Sequence, residues 1–328
     1  MTERNGDRGE PPAADRGDVV IETRGLTRDF KEIRAVDGLD LTVRRGELFG
    51  LIGPDGAGKT TTLRLLAGLL KISDGWAAVA GRDLTREPEA VKPHIGYMAQ
   101  RFSLYAELTV MENLRFFSEL YDVPPRERAE RTDRLLSFAG LTPFRSRRAE
   151  HLSGGMKKKL ALACTLIHEP PILLLDEPTT GVDPVSRREF WDILTELYTG
   201  GTTILVTTPY MDEADRCTRV GLIYQGHLVR CDAPEVIRAG IGEELIELQT
   251  DQWREAQVVA KDLPGVSQVM TYGESLHLLV DAAEDRLPEI EAGLEAEGIT
   301  YRSLRPTRPR MEEAFISLVR DREREGLR

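Results

Sequence analysis

Two hydrophobic periodicities alternate along the chain. Residues 19–24 and 39–43 read as strands, and residues 47–52 form a short apolar run that ends at a glycine, as a buried central strand would. A helix is expected from about residue 59 to about residue 69, and residues 76–79 and 95–98 read as further strands. From Thr109 to about residue 167 the spacing is helical. Met111, Leu114, Phe117 and Tyr121 recur on one face, and Pro124, Pro125 and Pro143 mark breaks. Strands then resume at 172–175, 203–207 and 220–224, around a helix over 184–198 with proline in its first turn. The alternation predicts an α/β fold with a mostly parallel sheet and a helical insertion.

The character changes near residues 240–242. From Leu245 the pattern reads strand, helix, strand, strand, helix, strand, helix in a short space. The final helix carries Met311, Ala314, Phe315, Leu318 and Val319 on one stripe. This predicts a small C-terminal α+β domain of ferredoxin-like type. The expected organisation is a disordered polar tail over 1–18, a larger domain over 19–240 with a helical subdomain at about 101–170, and an accessory domain over 241–328. The charged end, 320–328, is expected to fray.

Composition then narrows the function classes. The chain has 328 residues, 41% of them hydrophobic, enough for two domains with cores. A net charge of −11 argues against a dedicated nucleic-acid binder, which carries a basic footprint. Three cysteines at irregular spacing are no disulfide framework and read as buried thiols in a reduced compartment. Cys164 and His168 stand at helical spacing and could pair as metal ligands, but the run around them is apolar nearly all round and favours a core helix. No apolar run approaches a membrane span, and the N-terminus lacks the apolar stretch of a signal peptide. The expectation is a cytoplasmic chain that would act at a membrane through a separate membrane partner.

The run Gly53-Pro54-Asp55-Gly56-Ala57-Gly58-Lys59-Thr60 fits G-x-x-x-x-G-K-[ST] between a predicted buried strand and a predicted helix. Gly53, Gly56 and Gly58 are expected at positive φ, so that loop N–H groups and the positive helix end face phosphates. Lys59 would reach the β- and γ-phosphates, the hydroxyl of Thr60 would ligate Mg²⁺, and Thr61 joins the nucleotide-binding set. The bland alternative is a tight turn. Farther on, the strand over 172–175 delivers Asp176 and Glu177 to the carboxyl edge of the sheet, where unpaired carboxylates are costly. Bound Mg²⁺ would remove that cost, with Asp176 as the metal-side carboxylate and Glu177 placed to polarise an attacking water. Taken alone, the two acids could cap a helix.

With these two sites in order, the sequence over about residues 19–239 resembles an ABC transporter nucleotide-binding subunit, a P-loop NTPase. Leu152-Ser153-Gly154-Gly155-Met156 resembles the family signature, Gly181-Val182-Asp183 its D-loop, Gln100 its Q-loop glutamine and Phe30 the aromatic that stacks on adenine. The resemblance implies ATP and Mg²⁺ as ligands. It adds Phe30, Ser153, Gly154, Gly155 and Asp183 to the nucleotide-binding residues, and Gln100 to the catalytic and Mg²⁺-binding ones. Ser153 before two glycines is also an ordinary N-cap. The family reading points that helix end at ATP held by an opposite subunit, so one loop and one signature imply a dimer. Lys157, Lys158 and Lys159 behind it read as a solvated helix face rather than as phosphate neutralisers.

The resemblance further implies integral membrane permease subunits as partners, met through about residues 101–113, a place on the inner face of the cell membrane, and no nucleic acid. The C-terminal extension resembles the drug- and polymer-export branch. The function so implied is an ATP-binding and hydrolysing subunit that energises an exporter, for multidrug or related efflux. One alternative is a soluble, non-transport ABC ATPase, which usually carries two nucleotide-binding domains or a long coiled coil. Three positions depart from the family pattern. Asp55 replaces asparagine and Met156 replaces glutamine, and both changes are expected to be tolerated. Pro209 stands where the family places a switch histidine, and proline offers neither a side-chain donor nor a charge. The second alternative follows from it: a weakly hydrolysing partner in a heterodimeric transporter, whereas the dimer implied by the resemblance could be a homodimer or a heterodimer.

Overall fold

The computed structural model describes residues 18–101, 104–324 and 326. The tail expected over 1–18 lies outside the described residues except for Asp18, as do residues 102 and 103 of the stretch expected to meet a membrane partner. The chain divides into two compact units, Met1–Pro209 with Ile223–Leu228, and Tyr210–Leu222 with Val229–Arg328. The boundary drawn at residue 240 from sequence falls inside the second of these.

In the first unit β1 (Val19–Phe30) and β2 (Ile33–Arg44) pair antiparallel along their length. Each is about twice as long as the alternation suggested. Register shifts between Thr23 and Leu26 and again before Asp29 break the period of two, which is where the sequence pattern loses the strand. The wholly buried β3 (Leu48–Ile52) feeds the loop that opens α1 (Lys59–Leu66). This helix ends before residue 69 because Gly68 turns into the left-handed region at φ 67°. β4 (Asp74–Val79) and the short β5 (Arg82–Asp83) complete an antiparallel sheet of order β2-β1-β4-β5.

β6 (Ile95–Met98) precedes the helical insertion, which comprises α2 (Val110–Leu120), α3 (Pro125–Phe138) and α4 (Gly154–Leu166). Thr109 starts α2 with a capping box. Its hydroxyl accepts from the Glu112 amide at 3.2 Å, and the Glu112 carboxylate accepts from the Thr109 amide at 2.7 Å. Buried Asn113 fastens the preceding loop, donating to the Tyr105 and Thr109 carbonyls at 3.0 Å and accepting from the Tyr105 amide at 3.1 Å. Cys164 is buried in α4, and the His168 ring stacks on Tyr121 at 3.9 Å with Nε2 3.1 Å from the Ile95 carbonyl. These are core contacts. β7 (Ile172–Asp176), α5 (Pro184–Thr199) and β8 (Thr203–Thr208) follow, and the parallel strands lie in the order β3-β8-β7-β6.

β9 (Arg219–Tyr224) and β10 (His227–Asp232) come next, followed by α6 (Pro234–Ala239). Sequence reading misses β10 and α6. No residue of β10 is fully buried, so it carries no apolar stripe to read.

The second unit continues with β11 (Glu244–Gln249), α7 (Trp253–Lys261), β12 (Val266–Tyr272), β13 (Ser275–Val280), α8 (Ala283–Ala296), β14 (Ser303–Thr307) and α9 (Met311–Arg324). The sheet is antiparallel with order β12-β13-β11-β14, the interleaving of a ferredoxin-like unit. Ile246, Leu248, Leu276, Leu278, Ile290 and Leu294 fill its core.

Between Leu276 and Leu278, His277 points to the other face of β13, where its Nδ1 lies 2.6 Å from Glu313 Oε1. Glu313 Oε2 accepts from the Arg310 amide at 2.7 Å. Burial pushes the Glu313 carboxyl up, but the hydrogen bonds from His277 and from backbone N–H groups outweigh it and hold the carboxyl below its usual range. The folded value lies below the unfolded one, so this stabilisation is present above the ordinary carboxylate value of about 4.3 and is lost as pH falls through the lowered value. Glu313→Gln is expected to lose about 1–3 kcal/mol at neutral pH, and less than that in acid, in urea unfolding monitored on the second unit. A loss equal at about pH 7 and about pH 3 would refute the ionic assignment.

Candidate active site

β8 lies between β3 and β7, with Ile52 opposite Thr208 and Thr207 opposite Asp176. The segments that leave the carboxyl ends of these strands therefore meet. The loop after β3 is shaped by close approach as much as by dihedral angle. Gly58 has φ 106°, and a Cβ there would stand 2.4 Å from the Ala35 carbonyl oxygen. Gly53 corrects the expectation of three positive-φ glycines. It is not in that region, and its side chain is excluded because a Cβ would lie 2.1 Å from the Ile223 carbonyl oxygen. Gly56 is at φ 80°, as expected. The Ala57 amide donates to the Pro54 carbonyl at 3.2 Å, and Asp55 is exposed, with its carboxylate 3.9 Å from Lys59 Nζ. Thr61 is half-buried on the first turn of α1.

Lys59 is 3% exposed. Its ammonium donates to the Gly53 carbonyl at 2.8 Å and the Pro54 carbonyl at 2.9 Å, and pairs with Glu177 Oε1 at 3.2 Å. The hydroxyls of Thr60 and Thr207 both donate to Asp176 Oδ1, each at 2.9 Å. Asp176 Oδ2 is buried and has no hydrogen-bond partner. Burial pushes the Asp176 carboxyl up and Glu177 adds to this, against the two hydroxyls and Arg64. Gln100 Nε2 donates to Glu177 Oε2 at 2.7 Å, and the Thr180 hydroxyl donates to the same oxygen at 3.2 Å. The Glu177 backbone sits in the left-handed region at φ 46°, where its amide donates to the Thr207 carbonyl and hydroxyl, both at 3.1 Å. An orphaned, buried carboxylate oxygen beside a threonine hydroxyl fits a hard divalent cation, which takes oxygen donors.

Lys59, Thr60, Gln100, Asp176 and Glu177 are thus brought together. Gly154 and Gly155, which follow Ser153, lie instead against residues 181–186, where a Cβ on Gly155 would stand 2.5 Å from Ser186. Ser153 caps α4 by accepting from the Met156 amide at 3.3 Å, and Asp183 caps α5 by accepting from the Val185 and Ser186 amides at 3.1 and 2.9 Å. Those bonds, first among them the one from the Ser186 amide, hold the Asp183 carboxyl below its usual range. Phe30 is partly exposed, and the Arg28 guanidinium stands 4.5 Å from its ring centre. Pro209 follows β8 directly and is half-buried.

The lysine run is not the solvated face expected of it. All three lysines are half-buried. Lys158 Nζ donates to the Gln100 carbonyl at 2.8 Å, and Lys159 pairs with Glu189 at 2.6 Å. Sequence reasoning also missed Thr207. Its position one residue before the end of an apolar strand signals a role only once the strand order sets it opposite Asp176.

The sequence model of the ABC transporter family matches residues 36–180. The daunorubicin resistance ATP-binding protein DrrA2 of Streptomyces coeruleorubidus is 35% identical over 305 residues, which cover 92% of this chain and 95% of that protein. The chain belongs to the ABC transporter ATP-binding proteins. The probable multidrug ABC transporter ATP-binding protein YbhF of Escherichia coli K12 is 47% identical over 223 residues, 68% of this chain. The match spans only 39% of the length of YbhF. Among solved structures, a dimeric ATP-binding cassette in a post-hydrolysis state with ADP and Pi superposes with TM-score 0.59 at 26% identity, over 65% of this chain and 98% of that one. The α/β P-loop fold expected from sequence is therefore the ABC cassette fold.

In this ABC chain, Thr207→Val keeps the shape of the side chain and removes the hydroxyl shared by Asp176 and the Glu177 amide. Unfolding in urea is expected to show a loss of about 1–3 kcal/mol. A loss below about 0.5 kcal/mol would mean the hydroxyl does not hold the site together.

Proposed function

We propose that this ABC chain binds ATP with Mg²⁺ at the loop after β3 and hydrolyses it to drive export across a membrane. The observation that carries the reading is the buried, partnerless Asp176 Oδ2, set beside the Thr60 hydroxyl and within one hydrogen-bonded group with Lys59, Glu177 and Gln100. The loop from Gly53 to Thr61 holds the phosphates, and Lys59 neutralises their charge. Thr60, Asp176 and Gln100 hold Mg²⁺, which when bound screens the phosphate oxygens. Glu177 takes the proton of the water that attacks the γ-phosphorus, and ADP and phosphate leave. Phe30 supplies a face for adenine.

Ser153, Gly154, Gly155 and Asp183 face a second nucleotide-binding domain, so the working unit is a dimer. The transport role is supported by relatives named for multidrug transport and daunorubicin resistance. Among the described residues no helix is long and apolar enough to cross a membrane. Integral membrane permease subunits at the inner face of the cell membrane are the proposed partners, reached through residues 101–113. Residues 241–328 form an accessory domain in this reading.

ATP binding and turnover by the purified chain test the proposal. Glu177→Gln is expected to keep ATP binding and lose turnover by about 10²–10⁴, while Lys59→Ala loses binding. A wild-type chain that does not bind ATP sinks the reading.

Pro209 favours a second arrangement. Directly after β8 it offers no side-chain donor or charge, so a heterodimer would place the faster site on a partner subunit that carries a histidine. With that partner present, Pro209→His is expected to raise turnover at this chain's own site by about tenfold or more. A change within about twofold would leave Glu177 sufficient by itself.

A further inference from the structure

Lys158 lies on the second turn of α4, the helix that Ser153 caps. Its ammonium donates to the Gln100 carbonyl at 2.8 Å and reaches the Glu177 carbonyl at 3.4 Å. Those carbonyls belong to the two residues whose side chains bond to each other, Gln100 Nε2 to Glu177 Oε2 at 2.7 Å. One cation therefore spans both backbones and sets their separation, and with it the geometry of the side-chain pair. We infer that Lys158 is a positioning residue for hydrolysis: it ties the helix behind the signature serine to Gln100 and Glu177 and holds the Glu177 carboxylate in place. The inference rests on the ATPase reading above.

The backbone of Glu177 gives this tie its importance. Its φ of 46° is uncommon for a residue with a side chain and persists only where neighbours fix it. Thr207 fixes the amide side. On the carbonyl side stand Lys158 and the Thr180 amide, the latter at 3.3 Å. An ammonium has three rotatable donors and no acceptor, so it can serve two carbonyls at once. Methionine matches the length of the side chain and donates nothing. Arginine keeps the charge and the donors. Lys159, next in sequence and paired with Glu189, is a control that loses the same charge from the same helix.

The experiment compares Lys158→Met, Lys158→Arg and Lys159→Met with the wild-type chain. Steady-state ATP hydrolysis is measured together with hydrogen exchange of the peptide that contains Glu177 and Thr180. Lys158→Met is expected to lower kcat by about 10- to 100-fold with KM for ATP within about threefold, the signature of an interaction that acts on the chemical step. Exchange in the Glu177 peptide should rise in the same variant. Lys158→Arg should recover most of both, and Lys159→Met should stay within about twofold of wild type. Unchanged kcat in Lys158→Met, or kcat and ATP affinity lost in parallel, overturns the inference. Unchanged exchange overturns it whatever the turnover. A wild-type chain that fails to bind or hydrolyse ATP overturns the ATPase reading instead, and the exchange data then show whether the tie itself exists.

Discussion

The hydroxyl of Thr207 stands near the end of β8, between the loop that follows β3 and the two acids at the end of β7. It donates to Asp176 and accepts from the Glu177 amide. The contacts that join the strands of the site extend from those two acids. Thr60 reaches the same Asp176 oxygen from α1, Lys59 pairs with Glu177, and Gln100 closes on Glu177 from beyond β6. The arrangement requires β8 to be inserted in parallel between two strands that are not neighbours in sequence. Parallel strands buried on both faces expose their chemistry only at their ends, and the connections place those ends together. A buried ion pair such as Lys59 with Glu177 adds little net stability, but it admits few geometries. The sheet supplies the stability, and the polar group supplies the uniqueness.

Legibility from sequence follows the same physics. β3, β6, β7 and β8 were readable because continuous apolar runs bounded by polar residues have few alternatives. The element order from β11 onward was readable because each helix there carries one apolar stripe and each strand is short. β10 was not readable, since a strand with no buried residue leaves no periodic mark. The outer halves of β1 and β2 were hidden by register shifts that reset the alternation.

The site divides in a similar way. Lys59, Thr60, Asp176 and Glu177 announce themselves through a motif whose chemistry dictates residue type and spacing. Thr207 and Lys158 carry no such mark, because their roles come from neighbours distant in sequence: 31 residues separate Thr207 from Asp176, and 58 separate Lys158 from Gln100. Gly53 shows a subtler gap. Sequence indicates a glycine in a phosphate loop and suggests an unusual dihedral, whereas the reason here is the Ile223 carbonyl pressed against its Cα. Ser153 and Asp183 satisfy their local capping roles completely, so a functional demand on either is invisible until a second subunit is considered.

Glu177 occupies a conformation that glycine or asparagine would adopt with less strain. Its carboxylate is also 4% exposed beside a second buried acid. Stability and chemistry therefore pull in opposite directions at this position. A library of variants selected only for resistance to heat or protease would drift there toward glycine or asparagine, and its most robust members would be those that had given up the acid. A survey of homologous sequences can use that tension. A chain that keeps glutamate at this turn is under selection for something other than persistence.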